Sequence, residues 1–170
     1  MEYNVEPDKK TPLIIVILLF ILGVMLAFTP SLFKDLPSWI FQFPAVILLL
    51  VCILLLSRFV LTTYTYQLYD AGNIMSPFPK LNIYRIKKAG SKMVYCIPFN
   101  NVFSIEKVNK IGKPDMPREN LCASMFPKEI YQIIYQSEKK EAIFIECDRR
   151  FASEIARRIE EYSEVAETDA

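Results

Sequence analysis

The chain has 170 residues, of which 52% are apolar, and its 20 Lys and Arg residues nearly balance its 19 Asp and Glu residues. It contains no His, which excludes Ser-His-Asp and Cys-His catalysis within the chain, and also His-ligated zinc or haem. The near-neutral charge argues against a dedicated nucleic-acid-binding protein, because such proteins usually carry a basic excess. The length suffices for one ordinary domain, or for a small domain with an appendage.

The four cysteines lie far apart in the sequence and include no CxxC pair, so their spacing indicates neither a zinc site nor a disulfide framework. They are Cys52, Cys96, Cys122 and Cys147. We therefore expect free, reduced thiols. No glycine-rich phosphate-binding motif is present either. Together with the missing His, this predicts a protein that is not an enzyme and that has no cofactor.

The first predicted element is a membrane-spanning helix over residues 12–29, preceded by an N-terminal tail of residues 1–11. Its central run, LIIVILLFILGVMLAF, contains no charged or strongly polar residue. At about 1.5 Å per residue, this run and its flanks approach the ~30 Å of a bilayer core. Pro12 suits a first helical position, and Pro30 ends the helix. The alternative is a cleaved signal peptide, since two lysines precede the apolar run.

A second predicted membrane-spanning helix covers residues 39–61, after a short external loop of residues 30–38. The chain lacks charges from Leu36 to Ser57. Aromatic residues just before its most apolar part, AVILLLVCILLL, are typical of a membrane interface. The alternative is a buried core helix. The segment has no amphipathic stripe, however, and a helix that is apolar all round needs lipid or a large protein around it.

The distribution of basic residues predicts the orientation of both spans. Lys9 and Lys10 precede the first span and several Lys and Arg residues follow the second, whereas the connecting loop holds Lys34 offset by Asp35. The positive-inside rule therefore predicts a multi-pass plasma-membrane protein with both termini in the cytoplasm. Neither span contains a buried Asp, Glu, Lys or Arg residue, which argues against a pump or transporter formed by this chain alone.

Gly23 and Ala27 form a small-xxx-small pair in the first span, a pattern that lets two helices approach closely. They are the candidate helix-packing residues of this sequence. Because random apolar helices often contain such a pair, the alternative is that it has no specific role.

Beyond the second span, the composition changes to short β-rich runs that predict a separate domain over residues 62–163. TTYTYQLYD opens it with the period of two that is typical of a half-buried strand. LNIYRIKK and KMVYCIPF, joined by a Gly-containing turn at residues 89–91, predict a hairpin, and VFSIEKV predicts a further strand. Residues 109–120 are rich in Gly, Pro and charges, and predict an exposed loop.

The last part of the domain combines a second hairpin with a helix. IYQIIYQ and AIFIEC are predicted to pair through the polar turn SEKKE, and a helical stripe of apolar residues follows from Arg149. Asp148 is a suitable N-cap, and the spacing of Glu154 and Arg158 predicts an ion pair across one turn. Residues 164–170 are predicted to form an acidic, flexible tail. The stripe consists of Phe151, Ile155, Ile159 and Tyr162.

These runs resemble the bacterial pleckstrin-homology-like domains that are fused to a pair of membrane helices. The resemblance lies in TTYTYQLYD, in KMVYCIPFNNVFSIEKV and in the final hairpin with its helix, and the insertion SPFPK departs from it. It implies an α-helical transmembrane hairpin followed by an α+β domain of about six or seven antiparallel strands. The implied domain is a partly open barrel with a C-terminal capping helix. It does not imply an activity, because such folds host lipid binding, peptide binding and oligomer formation alike.

A basic run is the candidate binding site of this domain, since no acidic residue interrupts the chain between Asp70 and Glu106. We predict that it contacts anionic lipid headgroups, at about 1 kcal/mol per basic residue near the surface. The alternative is a solvated hairpin tip that only helps to set the topology. The run consists of Lys80, Arg85, Lys87, Lys88 and Lys92.

Other residue groups favour structural roles. The abundant tyrosines predict core packing, with Tyr64 and Tyr66 as candidate anchors at the membrane interface. Several carboxylates match no catalytic spacing, and we expect them on the solvated surface. They are Glu106, Asp115, Glu119, Glu146 and Asp148.

The sequence therefore predicts a membrane-anchored, non-enzymatic binding or scaffold protein. Its cytoplasmic domain is expected to contact lipid headgroups, a partner protein or a second copy of itself, and no metal or nucleic acid is expected. The alternative is an accessory subunit of a transport or envelope-stress system that docks through its membrane helices. Only Gly23 and Ala27 support that alternative.

Overall fold

A computed structural model of the chain describes residues 1–29, 37–70, 78–109 and 116–168, with side chains as far as residue 162. Most of the expected external loop, including Pro30, lies outside the described residues, as do Ser76 and Pro77 of the SPFPK insertion. The chain divides into two compact units. The helical unit is Pro7–Thr62, and the sheet unit consists of Met1–Glu6 with Thr63–Ala170.

The helical unit contains α1 (Lys10–Phe28) and α2 (Trp39–Leu55), and α2 ends in a π-helical turn, Leu56–Val60. Both helices are long and apolar enough to cross a membrane, as the sequence predicted. Their apolar side chains are mostly exposed, which is the opposite of what the core helix of a soluble protein shows. Leu18, Met25, Ile53 and Leu54, for example, are 61–68% exposed.

The first sheet, sheet 1, has the strand order β1-β2-β3-β4. The strands are β1 (Glu2–Asn4), β2 (Thr62–Tyr69), β3 (Lys80–Lys87) and β4 (Gly90–Pro98). The sequence predicted the β3–β4 hairpin but assigned β1 to the N-terminal tail. A three-residue strand is too short to show a period of two, and its partner β2 lies about 60 residues away in the sequence.

The pairing of β1 with β2 is antiparallel and places Glu2 opposite Gln67 and Asn4 opposite Thr65. The N–H of Val5 also donates to the carbonyl of Tyr64. The whole helical hairpin is therefore inserted in the chain between two neighbouring strands of one sheet.

The second sheet, sheet 2, has the order β5-β7-β8-β6. Its strands are β5 (Val102–Val108), β6 (Arg118–Asn120), β7 (Ile130–Gln136) and β8 (Lys140–Glu146). The predicted hairpin of β7 and β8 is confirmed, with Ile133 opposite Ile143. Neither sheet is closed, and the two sheets with the C-terminal helix fit the expected α+β layout.

Strand β6 corrects two expectations. It lies inside the segment 109–120 that was predicted to be a loop, and it pairs in parallel with β8, whereas only antiparallel strands were expected. Hydrogen bonds to the carbonyls of Pro117 and Phe144 hold the segment on either side of this pairing. The sequence REN of this strand has no apolar alternation, so no sequence pattern marks it.

Helix α3 (Arg149–Thr168) begins where the sequence predicted, and the carboxylate of Asp148 caps it by accepting the N–H of Phe151 at 2.8 Å. Phe151 and Ile155 are fully buried in a core shared by both sheets. The helix continues to Thr168, although the sequence predicted a tail from residue 164. Other fully buried core residues are Tyr66, Leu81, Ile83, Phe99, Ile133 and Ile145.

Candidate functional site

The structure divides the predicted basic run into three parts. Lys87, Lys88 and Lys92 are exposed around the turn of the β3–β4 hairpin, and we call them the tip lysines. Lys80 stands at the other end of β3, opposite Pro98. Lys80 and Lys87 are seven residue steps apart along β3, which corresponds to about 23 Å at about 3.3 Å per residue. Lys80 therefore does not belong to the same surface as the tip lysines.

Arg85 takes part in the fold itself. Its guanidinium lies 3.5 Å from the Glu119 carboxylate and 5.9 Å from the ring centre of Tyr64. Glu119 also accepts a hydrogen bond from the Tyr95 hydroxyl. Burial, and next the hydrogen bond to this carboxylate, raise the pKa of Tyr95 well above its usual value, so the hydroxyl stays protonated. Arg85 thus joins β3 to β6 and has less freedom to bind a ligand.

The tip lysines lie at the end of sheet 1 where the chain arrives from the helical unit. The contact of Arg85 with Tyr64 places the C-terminal half of β3 beside the N-terminal half of β2. The turn that follows β3 is therefore on the side where β2 begins. It is a tight turn that pairs Lys87 with Gly90, whose φ of 141° is rarely adopted by other residues.

The outer face of sheet 1 carries a polar depression of about 370 Å³ next to this tip, which we call the outer groove. Thr65 is only 4% exposed within it, although it points away from the core, and its hydroxyl donates to Oδ1 of Asn4 at 2.7 Å. The Tyr69 hydroxyl beside it donates to Oε1 of Gln67 at 2.7 Å. Sequence reasoning missed this groove, because part of it belongs to β1. Its lining is Glu2, Asn4, Thr65, Gln67, Tyr84, Ile86 and Ser91.

A second depression, of about 430 Å³, lies between α3 and sheet 2. Lys107 and Glu129 on its rim form an ion pair with each other. Their hydrogen bond raises the pKa of Lys107 and lowers the pKa of Glu129. Because these two charges satisfy each other, they offer a ligand little net charge. The apolar lining includes Ile105, Tyr131, Ala152 and Ala156.

The two candidate helix-packing residues have different environments. A Cβ added to Gly23 would lie 3.5 Å from Cβ of Leu48 and 3.7 Å from the carbonyl oxygen of Ala45, so Gly23 packs directly against α2. Ala27 is exposed. Gly23 therefore serves a contact within the chain, whereas Ala27, one turn later, is left exposed.

The tyrosines and carboxylates singled out in the sequence are mostly part of the fold. Tyr64 and Tyr66 are 2% and 0% exposed, which agrees with the expected core packing and not with its alternative, an anchor at the membrane interface. Glu146 is not merely solvated either, because it accepts the N–H of Ser124 at 2.9 Å. With the Glu119 and Asp148 contacts described above, three of the five carboxylates have structural partners. Asp115 lies outside the described residues.

The cysteines and acidic residues show no reactive or metal-binding arrangement in the part of the chain that the structure describes. Cys96 is exposed, whereas Cys52, Cys122 and Cys147 are buried. Burial raises the pKa of the Cys147 thiol well above its usual value, which suppresses the reactive thiolate.

Comparison with protein-family models, with curated proteins and with solved structures gave no match.

Proposed function

We propose that the chain is a membrane-anchored, non-enzymatic binding module whose tip lysines contact anionic lipid headgroups. The observation that carries this proposal is the position of Lys87, Lys88 and Lys92. All three are exposed on one hairpin, at the end of sheet 1 to which the helical unit is connected. Sequence proximity alone would have included Lys80 and Arg85, which the structure assigns to other surroundings.

The proposed topology places both helices in the bilayer and the sheet unit in the cytoplasm. Pairing of β1 with β2 supports it, because the segment before the first helix and the domain after the second must then lie on the same side. Cleavage of the first helix as a signal peptide would also remove β1 from sheet 1, so the pairing favours an intact N-terminus. The basic residues outside the spans favour the cytoplasmic side.

The expected strength of the contact is modest for one lysine but useful for a tethered module. A basic residue near an anionic surface contributes about 1 kcal/mol, and this attraction decreases with ionic strength. Because the helices hold the sheet unit beside the membrane, the tip lysines meet lipid at a high effective concentration. Three such residues are then enough to bias the orientation of the unit.

We further propose that the sheet unit is pleckstrin-homology-like. Two four-stranded sheets and a C-terminal helix around one core support this assignment. The short strand β1 and the parallel strand β6 are departures from the expected pattern. The lipid assignment rests on the tip lysines and not on the fold, since one fold hosts many functions.

The transport-subunit alternative has less support than the lipid proposal. It depended on Gly23 and Ala27 as a shared docking surface, and Gly23 packs against α2 of its own chain.

The proposal is tested with the full-length chain in lipid nanodiscs. A spin label is attached at the tip of the hairpin, on A89C, and reports collisions with a nickel chelate attached to lipid. A Cys96→Ser background keeps the label specific, because the remaining cysteines are buried. We expect more collisions in discs containing anionic lipid than in neutral discs. Lys87→Gln with Lys88→Gln should remove this difference.

A matched variant controls for the loss of two positive charges. Lys128 and Lys139 are also exposed lysines of the sheet unit, but they lie outside the β3–β4 hairpin. Lys128→Gln with Lys139→Gln should keep the response to anionic lipid. Equal collision rates in neutral and anionic discs, or equal losses in the two double variants, would contradict the proposal.

A further inference from the structure

Strand β5 has a free edge. In sheet 2 it pairs with β7 on one side, and no other described strand pairs with it on the opposite side. The register is irregular between Val102 and Ser104 and continuous from there to Val108. A free edge presents backbone N–H and C=O groups with which another extended chain can pair. This edge therefore fits a polypeptide in the extended conformation.

The depression between α3 and sheet 2 lies beside this strand, and we call it the helix groove. Ile105 and Lys107 line it from β5, and Ala152 and Ala156 line it from α3. The small alanine side chains leave room for side chains from another segment. Because every second side chain of a strand points to the same face, a segment paired with β5 would direct alternate side chains into the helix groove.

The rim of the helix groove carries positive charge that is not neutralised within the fold. Lys107 and Glu129 neutralise each other. Arg149 and Arg150 are exposed and form no ion pair within the part of the chain that the structure describes. Arg149 lines the groove, and both arginines line an adjoining depression on α3. Acidic side chains complement these two charges.

The two arginines do not stabilise their own helix. They lie in the first turn of α3, which contains no acidic residue. The N-terminal end of a helix carries partial positive charge, so basic residues there are unfavourable, whereas a negatively charged partner is favourable.

Strand register shows at which end of β5 the arginines lie. Val108, the last residue of β5, stands opposite Ile130, and Ile130 stands opposite Glu146, the last residue of β8. Helix α3 begins shortly afterwards with Arg149. A segment that runs antiparallel to β5, the commoner type of pairing, would therefore meet the arginines with its N-terminal residues.

We propose that β5 and the helix groove bind an extended, acidic segment of a partner protein, which adds to sheet 2 as a strand. Its backbone pairs with the edge of β5, its first side chains on the groove face are acidic and contact Arg149 and Arg150, and the following ones are apolar. This inference is independent of the lipid contact, because the tip lysines belong to sheet 1.

The test uses the full-length protein in discs of neutral lipid and fluorescent peptides, followed by fluorescence anisotropy. In the peptide ETETVTV, the glutamates and valines share one face of a strand. TETEVTV has the same composition, but its glutamates lie on the opposite face from its valines. We expect ETETVTV to bind about threefold to tenfold more tightly than TETEVTV, as one or two exposed ion pairs would give.

A third peptide tests the backbone pairing. ETETVTV that is N-methylated at every internal amide keeps its charge but cannot donate to β5, and it should bind at least about tenfold more weakly. Binding of ETETVTV should also slow hydrogen exchange of the β5 amides. It should leave exchange unchanged in β4, the edge strand of sheet 1.

Variants locate the site. Arg149→Gln with Arg150→Gln should remove the advantage of ETETVTV over TETEVTV. Ser153→Phe, at an exposed position that lines the helix groove, should fill the groove and weaken both peptides. Lys87→Gln with Lys88→Gln should leave both affinities unchanged.

The outcomes separate this inference from the proposed function. Equal binding of ETETVTV and its N-methylated form, or unchanged exchange in β5, overturns strand addition. Equal losses in the arginine and the tip-lysine variants overturn the location. If the arginine variant instead loses the spin-label response to anionic lipid and keeps its peptide affinity, the arginines contact lipid and the groove assignment is overturned. Loss of that response in the tip-lysine variant concerns the proposed function alone.

Discussion

Arg158 shows how single charged residues hold the sheet unit together. It is 8% exposed, its Nε lies 2.8 Å from the Glu154 carboxylate, and its Nη1 lies 2.5 Å from Asp70. A nearly buried guanidinium needs such partners, because an unpaired buried charge is strongly destabilising. The residue therefore ties α3 to the end of β2.

Glu154 should make the stability of this unit sensitive to acid. Its hydrogen bonds to Arg157 and Arg158 lower its pKa from the usual 4.5 to about 2. The stabilisation is therefore complete above pH 4.5 and decreases as the pH falls towards 2. Glu154→Gln should lower the free energy of unfolding at pH 7 by about 1 kcal/mol and weaken the dependence on acid, measured by circular dichroism during thermal unfolding.

Glu161→Gln is the matched control, because Glu161 also pairs with Arg157 but is exposed and does not touch Arg158. It should change the unfolding temperature little at any pH. If both variants unfold alike across the range from pH 2 to pH 7, the network around Arg158 does not have this role.

Sequence spacing recovered only part of this residue-scale organisation. The Glu154–Arg158 pair was predicted because four residues make one helical turn, whereas the contact with Asp70 depends on the tertiary fold. The basic run was predicted to be one site because sequence spacing does not contain the tertiary fold. A strand carries Lys80 away from Lys87, and the ion pair of Arg85 with Glu119 involves a distant strand. No local pattern contains such contacts.

At the scale of elements, long and strongly patterned segments were predicted well. Both apolar helices, the β3–β4 and β7–β8 hairpins and the start of α3 follow from hydrophobic period, turn residues and capping. The short strands β1 and β6 were missed. Three residues give no usable period, and both strands exist because a longer strand offers them a free edge.

The contact between α1 and α2 gives a prediction at this scale. Gly23→Leu should separate the two helices, since even a Cβ there would already touch Leu48. Ala27→Leu, at an exposed position of the same helix, should not. Cross-linking of V16C to Cys52 in native membranes measures the effect, because the Cys52 thiol lies 3.6 Å from the carbonyl of Val16.

We expect efficient cross-linking in the parent and in the Ala27→Leu variant, and a loss of several-fold in the Gly23→Leu variant. Equal cross-linking in all three would show that Gly23 does not determine the helix contact. A loss with Ala27→Leu alone would instead favour a different pairing of the helices.

At the scale of the whole molecule, the connectivity supports the proposed membrane topology independently of composition. A helical hairpin is inserted between strands β1 and β2, so the two connections leave and re-enter the same sheet. The sequence predicted both termini on one side from charge alone. The pairing of β1 with β2 supports the same proposal, because two strands on opposite sides of a bilayer cannot pair.

Side-specific labelling of two exposed positions tests this central claim most directly. The two positions are exposed on the sheet unit, one on each side of the helical hairpin in the sequence. One is the native Cys96, and the other is E6C, introduced in a Cys96→Ser background. A membrane-impermeant maleimide should label both positions in inverted membrane vesicles and neither in sealed right-side-out vesicles. Labelling of the two positions from opposite sides, or of either position in right-side-out vesicles, would contradict the account.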